Sequence, residues 1–411
     1  MRLIHTSDWH LGRTLHGADL LDHQAAFLDW LLGQAQAHQA DAVVVAGDIY
    51  DRAVPPAGAV TLLSRTLESF AAQRIPVMLT SGNHDSAVRL GFGSRLTESA
   101  GIHLRTRLAD LTRPLVVADG HGEVAIYGIP YLLPDAVMAD LGAERSHASV
   151  LSAAAARIRA DAAARGIGRT VVAAHAFITG CATSESERDI RVGGIGDAPA
   201  SALGGFSYVA LGHLHGQQAV ASADQAVIGY SGSPLAFSFS ERTHAKSVTL
   251  VELDASGRVT TQLLPAPVPR PLREVRGRLD DLLARARGDL ADLADAWVKV
   301  VLTDRARPAA PMERLREVWP HTLVLDFSPE GGLPDADADS RRLAATTDPV
   351  TICEYFVEYA GGAPPDPPQR AVLRDVTEAA LRDEARGLPG PECPEESGAP
   401  GAPGTSAGEA A

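Results

Sequence analysis

Cysteine is scarce in this sequence: three residues in 411, Cys181, Cys353 and Cys393, far apart and odd in number. That excludes a disulfide framework and any zinc-type cysteine spacing. No apolar run is long enough to span a membrane. The N-terminus, Met1-Arg2-Leu3-Ile4-His5, lacks the apolar segment and small-residue cleavage site of a secretory signal. A cytoplasmic protein is the expectation. Positive charge is also short. The formal net charge is −14, which argues against coating nucleic acid through bulk charge. It leaves nuclease chemistry open, because metal sites concentrate carboxylates and bound cations reverse the field a substrate meets. There is no glycine–lysine nucleotide-binding motif of the Walker A type and no internal repeat.

What is present is ordinary globular composition, 45% hydrophobic and 21% charged, enough for two or three domains. Short β-branched runs alternate with helical patterns. Strands are predicted over Arg2 to Thr6, Asp41 to Ala46 and Ile75 to Thr80. Between them, Leu21, Ala25, Leu28 and Leu32 mark one helix face, and a second helix covers Ala57 to Gln73. That order implies a parallel sheet with helices on its faces, an α/β fold. Further strands are expected at Glu123 to Gly128, Thr170 to Ala174 and Tyr208 to Leu211, with an alanine-rich helix near residues 149–165. Strands near Ala226 to Tyr230, Ser247 to Leu253 and Val259 to Leu264 follow without helices, which suggests an antiparallel edge or a second sheet.

Four prolines between Pro265 and Pro271 mark a boundary. A smaller α+β region is expected over 272–345, with a helix near Leu279 to Leu293 and strands near Trp297 to Leu302 and Thr322 to Phe327. C-terminal helices are expected over 346–386, one bearing the apolar stripe Leu373, Val376 and Ala380. From Gly387 the chain is rich in Pro, Gly, Ala and Glu and reads as a disordered tail.

Each of the first three strands ends in a polar cluster: Ser7-Asp8-Trp9-His10, Gly47-Asp48-Ile49-Tyr50-Asp51 and Ser81-Gly82-Asn83-His84-Asp85. Two later strands end in Ala174-His175 and Gly212-His213-Leu214-His215. Carboxyl ends of parallel strands share one edge, where ligands bind in open α/β folds. Asp, Asn and His suit manganese, iron or zinc. One such cluster is a weak signal; five in consistent order are a strong one. Phosphodiester hydrolysis is one chemistry that calls for such a set. A phosphodiester repels an incoming nucleophile, and two cations about 3.5–4 Å apart neutralise that charge, acidify a water and stabilise the leaving oxygen.

These clusters resemble the five-motif pattern of calcineurin-like metallophosphoesterases. The flanking words resemble the SbcD family of DNA nuclease subunits within that superfamily: Ser7 to Arg13, Gly47 to Pro56, Gly82 to Ser86, Gly212 to His215 and Gly232-Ser233-Pro234-Leu235. The likeness is strong over residues 1–255. It implies a phosphoesterase β-sandwich flanked by helices over 1–264, a smaller capping domain that positions DNA, and C-terminal helices that dock an SbcC-like coiled-coil ATPase. It implies that Asp8, His10, Asp48 and His215 hold one metal, and Asp48, Asn83, His175 and His213 the other, most naturally Mn2+. His84 is then the catalytic histidine, and Asp51 a carboxylate that orients it. It further implies double-stranded and hairpin DNA as substrates, a homodimer within a heterotetramer, and a cytoplasmic, nucleoid-associated location.

Arg13, His16, Arg52, Arg188 and Arg191 are candidate DNA contacts; the two last lie in a glycine-rich segment, Ser184 to Gly196, that reads as a mobile loop. Asp85 is assigned a turn role, and Trp9 and Tyr50 packing roles. Two other readings stay open: a phosphoesterase for a small phosphodiester or nucleotide, and a non-catalytic scaffold for an ATPase.

Overall fold

The computed structural model describes residues 1–187, 197–222, 226–329, 348–361 and 364–385. Arg188, Arg191 and the tail from Gly387 lie outside the described residues.

The first sheet begins with β1 (Arg2–Thr6), β2 (Ala42–Ala46), β3 (Val77–Thr80) and β4 (Ile102–Arg105), all parallel. The second contains β5 (Leu115–Asp119), β6 (Gly122–Ile129), β7 (Arg169–His175), β8 (Tyr208–Gly212), β9 (Gln218–Val220) and β10 (Val227–Tyr230), in the order β9-β10-β8-β7-β6-β5. Its four central strands are parallel, and β5 and β9 are antiparallel edges. Two strands, β11 (Ser247–Leu253) and β12 (Val259–Pro265), return to complete the first sheet antiparallel to β1, giving β12-β11-β1-β2-β3-β4.

Alternation along each strand builds a four-layer sandwich. Leu3, Val44 and Met78 point inward and meet Ile126, Val171 and Ala210 of the second sheet. Ile4, Val43 and Leu79 point outward under helices α1 (Leu21–Ala37) and α2 (Ala57–Ala72). Tyr127, Val172 and Val209 point outward on the other side under helix α3 (His147–Arg165). Burial on both faces explains why β2, β7 and β8 read as continuous apolar runs.

Strands β4, β5 and β9 went without a sequence signal, as did the strand over Leu272–Gly277. In β4 the buried Arg105 breaks the apolar run, and its charge is met by Glu98 at 2.6 Å and the Arg113 carbonyl at 2.6 Å. The helix expected over Leu279 to Leu293 ends at Arg285, and a 3-10 turn follows over Ala291–Asp295. Gly288, whose N–H bonds the Arg285 carbonyl at 2.9 Å, favours leaving the helix there.

The chain divides into two compact units. The first comprises Met1–Val275, Leu283–Val300 and Met312–Leu325; the second comprises Arg276–Leu282, Val301–Pro311 and the described residues from Asp326 on. A third sheet orders β13 (Leu272–Gly277), β14 (Trp297–Leu302) and β15 (Thr322–Phe327) side by side. In the first unit, Trp297 and Leu272 pack with Leu15, Leu20, Leu235 and Phe239. In the second, helices α4 (Pro349–Gly361) and α5 (Pro367–Ala385) pair through Cys353 and Thr377.

Candidate active site

The parallel strands of both sheets deliver their carboxyl ends to one place. Asp8 follows β1, Asp48 follows β2, Asn83 and His84 follow β3, His175 ends β7, and His213 and His215 follow β8. The register of β7 against β8 sets Gly212 opposite His175. Asp8, His10, Asp48, His175, His213 and His215 are all buried, while Asn83 and His84 are partly exposed at the mouth.

The turns that present these groups are strained. Eight non-glycine residues among those described have positive φ, and four belong to the site: Asp8 (53°), His10 (44°), Asp48 (48°) and His213 (108°). Such conformations cost energy and persist where the surroundings hold them. Here they are held by main-chain bonds between the turns after β1 and β2: Asp8 N–H to Gly47 O (3.1 Å) and His10 N–H to Asp48 O (3.0 Å). Gln24 of α1 adds two bonds, donating to the carbonyls of His10 (2.7 Å) and Trp9 (3.2 Å).

Close approach of the two sheets requires glycine at 212. A Cβ there would lie 1.8 Å from the Ala46 carbonyl oxygen and 3.0 Å from His175 Nδ1. Gly212→Ala is expected to destabilise the chain by about 1–3 kcal/mol, the range for forced overpacking. Urea unfolding measures this; an unchanged midpoint would contradict the packing.

Nitrogen and oxygen donors converge. His10 Nε2 lies 3.2 Å from His215 Nε2, and Asp48 Oδ2 lies 3.6 Å from His10 Nε2 and 3.4 Å from His175 Nε2. Asn83 Oδ1 lies 2.9 Å from His175 Nε2 and 3.2 Å from His213 Nδ1. Asp8 receives the His213 N–H and the Ser7 hydroxyl. Three groups, Asp8–His10–His215, His10–Asp48–His84 and Asp8–Asp48–His175, have ligand atoms mutually within 4.8 Å. Two ring nitrogens facing each other at 3.2 Å favour a cation or a shared proton between them. The donor set therefore fits divalent metals of the manganese, iron or zinc type. All seven residues read as ligands are brought together, and Asp8 and Asp48 each belong to two of these groups.

Charge among these groups is uneven. Burial pushes Asp8 up to about 6, against the pull of His175 and His215. Burial would also raise Asp48, but the neighbouring His175 holds it well below the usual carboxylate range. Burial would lower His175, yet Asp48 and Asp8 raise it to about 9. His10 is driven well down by burial, and His213 to about 3 by burial and His175.

His84 N–H donates to Asp48 Oδ1 at 2.9 Å, and its Nδ1 lies 2.8 Å from the carbonyl oxygen of Asp51. A carbonyl only accepts, so the proton sits on Nδ1 and Nε2 is left to the site. This corrects the expected role of Asp51. Its main chain orients His84, because the turn after β2 points the carbonyl there. Its carboxylate turns instead to His10 Nδ1 (3.6 Å) and Arg13 Nε (3.6 Å).

Arg13 also donates to the Ser186 carbonyl (2.8 Å) and stacks 4.8 Å from the Phe237 ring centroid. Arg52 is exposed, 4.0 Å from Asp51. His16 is exposed beside Phe239. Trp9 and Tyr50 are buried in the core under α1 and α2. The Asp85 carboxylate takes the N–H groups of Ile49, Tyr50 and Gly82 at 2.9–3.0 Å, tying the turns after β2 and β3 together. Sequence reasoning missed Gln24, Ser186, Glu187, Glu241 and Lys246, none of which stands in a metal-ligand word; Lys246, one of two lysines in an arginine-rich chain, was the nearest to a signal.

Residues 1–217 match the family described as calcineurin-like phosphoesterase, and residues 268–357 match the type 5 capsule protein repressor C-terminal domain. With the sandwich and its donor cluster, that defines the class: a metallophosphoesterase. Among solved structures, a dimetal phosphatase from Danio rerio aligns with TM-score 0.39 at 14% identity, over 64% of this chain and 98% of that one. The SbcD component of the nuclease SbcCD from Bacillus subtilis is 31% identical over 406 residues, 94% of this chain and 100% of that protein. Its namesake from Staphylococcus saprophyticus is 30% identical over 328 residues, 79% of this chain and 84% of that protein. The chain belongs to the SbcD family and is a metal-dependent nuclease subunit.

Proposed function

We propose that this chain hydrolyses DNA phosphodiester bonds with two divalent cations, as an exonuclease on double-stranded ends and an endonuclease on hairpins. The observation that carries this reading is the convergence of seven ligand-type side chains from five strand ends. Asp8, His10, Asp48 and His215 would hold one cation, and Asp48, Asn83, His175 and His213 the other, with Mn2+ the ion best suited. Cations held there would supply positive charge to the phosphodiester and lower the pKa of the attacking water. His84, at the mouth with Nδ1–H on the Asp51 carbonyl, would contact the scissile phosphate as the imidazolium, give its Nε2 proton to the leaving oxygen and end as the neutral ring. Arg13 and the exposed Arg52 and His16 stand ready for the DNA backbone, and the region after Pro271 would position the duplex.

Partners follow from two apolar surfaces. On α4 and α5, Ile352, Phe356, Val372 and Val376 are exposed. They offer a helix pair for docking an SbcC-like coiled-coil ATPase, which would also supply ATP binding. Val88, Phe92 and Leu96 are more than four-fifths exposed within one short segment, a surface suited to a second copy of this chain and so to a homodimer within a heterotetramer. No helix among the described residues is long and apolar enough to cross a membrane. A cytoplasmic, nucleoid-associated location fits a DNA substrate.

The test is hydrolysis of a labelled linear duplex, a hairpin and a chromogenic phosphodiester, with Mn2+, Mg2+ or chelator, with and without the ATPase. Mn2+-dependent DNA cleavage stimulated by the partner and ATP is expected. Cleavage of the small ester alone under every condition would overturn the DNA reading.

Proton release tests the ligand reading. A histidine ligand must be neutral, and His175 keeps its proton up to about 9. Mn2+ binding at pH 7 is therefore expected to release about one proton. Affinity should rise with pH toward 9, and fall further below about 6 as Asp8 takes a proton. Calorimetry in two buffers of different ionisation enthalpy reads this directly; identical binding enthalpies would contradict it.

A further inference from the structure

Behind His215 lies a hydrogen-bonded array, with Glu241 and Lys246 buried and Ser186 and Glu187 half-buried, that the hydrolytic reading does not use. The His215 ring presents Nε2 to the site and Nδ1 away from it. Nδ1 lies 2.6 Å from Ser186 Oγ and 3.3 Å from Glu241 Oε1. The Ser186 hydroxyl in turn donates to Glu241 Oε1. Proton directions are consistent: Nδ1–H to hydroxyl, hydroxyl to carboxylate.

Glu241 is fully buried and paired through Oε2 with Lys246, itself buried. The lysine spends its three protons on Glu241, Ser233 Oγ (2.9 Å) and the His215 carbonyl (3.0 Å). The His215 N–H donates to Glu187 Oε1 at 2.6 Å. Main-chain N–H, main-chain carbonyl and Nδ1 are thus all fixed, and Nε2 is turned to the site, 3.2 Å from His10 Nε2. His175 is held differently, its Nδ1 against the neutral carbonyl of Ala46 at 3.0 Å. One histidine of the centre is backed by a carboxylate and another by a carbonyl.

We propose that Glu241 is a positioning residue for one of the two metals. Through Ser186 and directly, it fixes the His215 tautomer and makes Nε2 a stronger donor, so that the Asp8–His10–His215 side depends on it and the Asn83–His175–His213 side does not. The proposal rests on His215 being a metal ligand. Carboxylate partners of ligating histidines act in this way elsewhere, and losing one costs about 10–100-fold in metal affinity. Lys246 balances the charge, so that a buried carboxylate can stand there without an unpaired cost.

The test is Mn2+ titration of the full chain by calorimetry, with free Mn2+ counted by electron paramagnetic resonance. Glu241→Gln/Lys246→Met removes both buried charges together, so that neither charge is left unpaired, although the lysine's bonds to Ser233 and the His215 carbonyl go with it. One of two binding events should weaken about 10–100-fold, with the other unchanged within about twofold. Equal weakening of both, or of neither, in a folded variant overturns the proposal. His215→Ala separates this from the underlying reading. If it keeps both events, His215 is no ligand; if it loses one that the double variant keeps, only the role of Glu241 fails. Should the double variant not fold, the unaltered chain still decides the matter. Nitrogen-15 histidine spectra of the Zn2+-loaded protein must show the His215 proton on Nδ1, and a proton-free Nδ1 overturns the proposal.

Discussion

His84→Asn is expected to abolish DNA hydrolysis while both Mn2+ binding events stay within about twofold of their normal affinity. The histidine sits at the mouth, partly exposed, with its Nδ1 committed to the Asp51 carbonyl at 2.8 Å. Its main-chain N–H, which supports Asp48, survives the substitution. What is lost is Nε2, which in the proposed reaction would donate its proton from the imidazolium to the leaving oxygen. A general acid of this kind contributes about 10²–10⁴-fold, and the loss should fall in kcat. The comparison with Asp51→Ala sharpens the prediction. Because the orienting contact is a backbone carbonyl, that variant should keep His84 in place and lose much less, within about tenfold, through its contacts to His10 and Arg13. Equal losses in the two variants would mean that the carboxylate is the true partner of His84.

Asp48→Asn is expected to remove both Mn2+ events and, with them, activity on every DNA substrate. Asp48 is placed against groups of both sides: its Oδ2 lies 3.6 Å from His10 Nε2 and 3.4 Å from His175 Nε2. Burial would neutralise it, yet His175 keeps it ionised. An amide of the same shape preserves packing and loses the charge that two cations would share. Mutating the partners of metal ligands costs about 10–100-fold in affinity; loss of a shared ligand should exceed that at both sites. Retention of one tight event would show that Asp48 serves a single cation. The pair of variants is informative together, since His84→Asn separates chemistry from metal binding and Asp48→Asn does not.

Much of the fold was legible because the strands that build the sandwich are buried on both faces. Ala42 to Ala46 and Thr170 to Ala174 are apolar runs with no polar alternation, bounded by glycine or by a ligand residue. The strand Ile102–Arg105 was not legible, because a buried arginine inside it is tolerated only through Glu98 and a distant carbonyl. On α5 the expected stripe of Leu373, Val376 and Ala380 is divided. Val376 is exposed and Leu373 partly buried, while Thr377 faces α4, a choice made by the neighbouring helix.

The same division runs through the active site. The seven ligand-type residues follow strands whose direction is a local property of the chain, so their convergence could be anticipated from five short words. The groups that hold them could not. Glu241 meets His215 across 26 residues of sequence, Ser186 meets Glu241 across 55, and the Asp51 carbonyl meets His84 across 33. Residue type carries the capacity to bind a metal, and strand order brings the binders to one edge. Which nitrogen of each ring carries its proton, and whether a carboxylate or a carbonyl stands behind it, depends on main-chain directions and buried pairs that arise only when the two sheets close on each other.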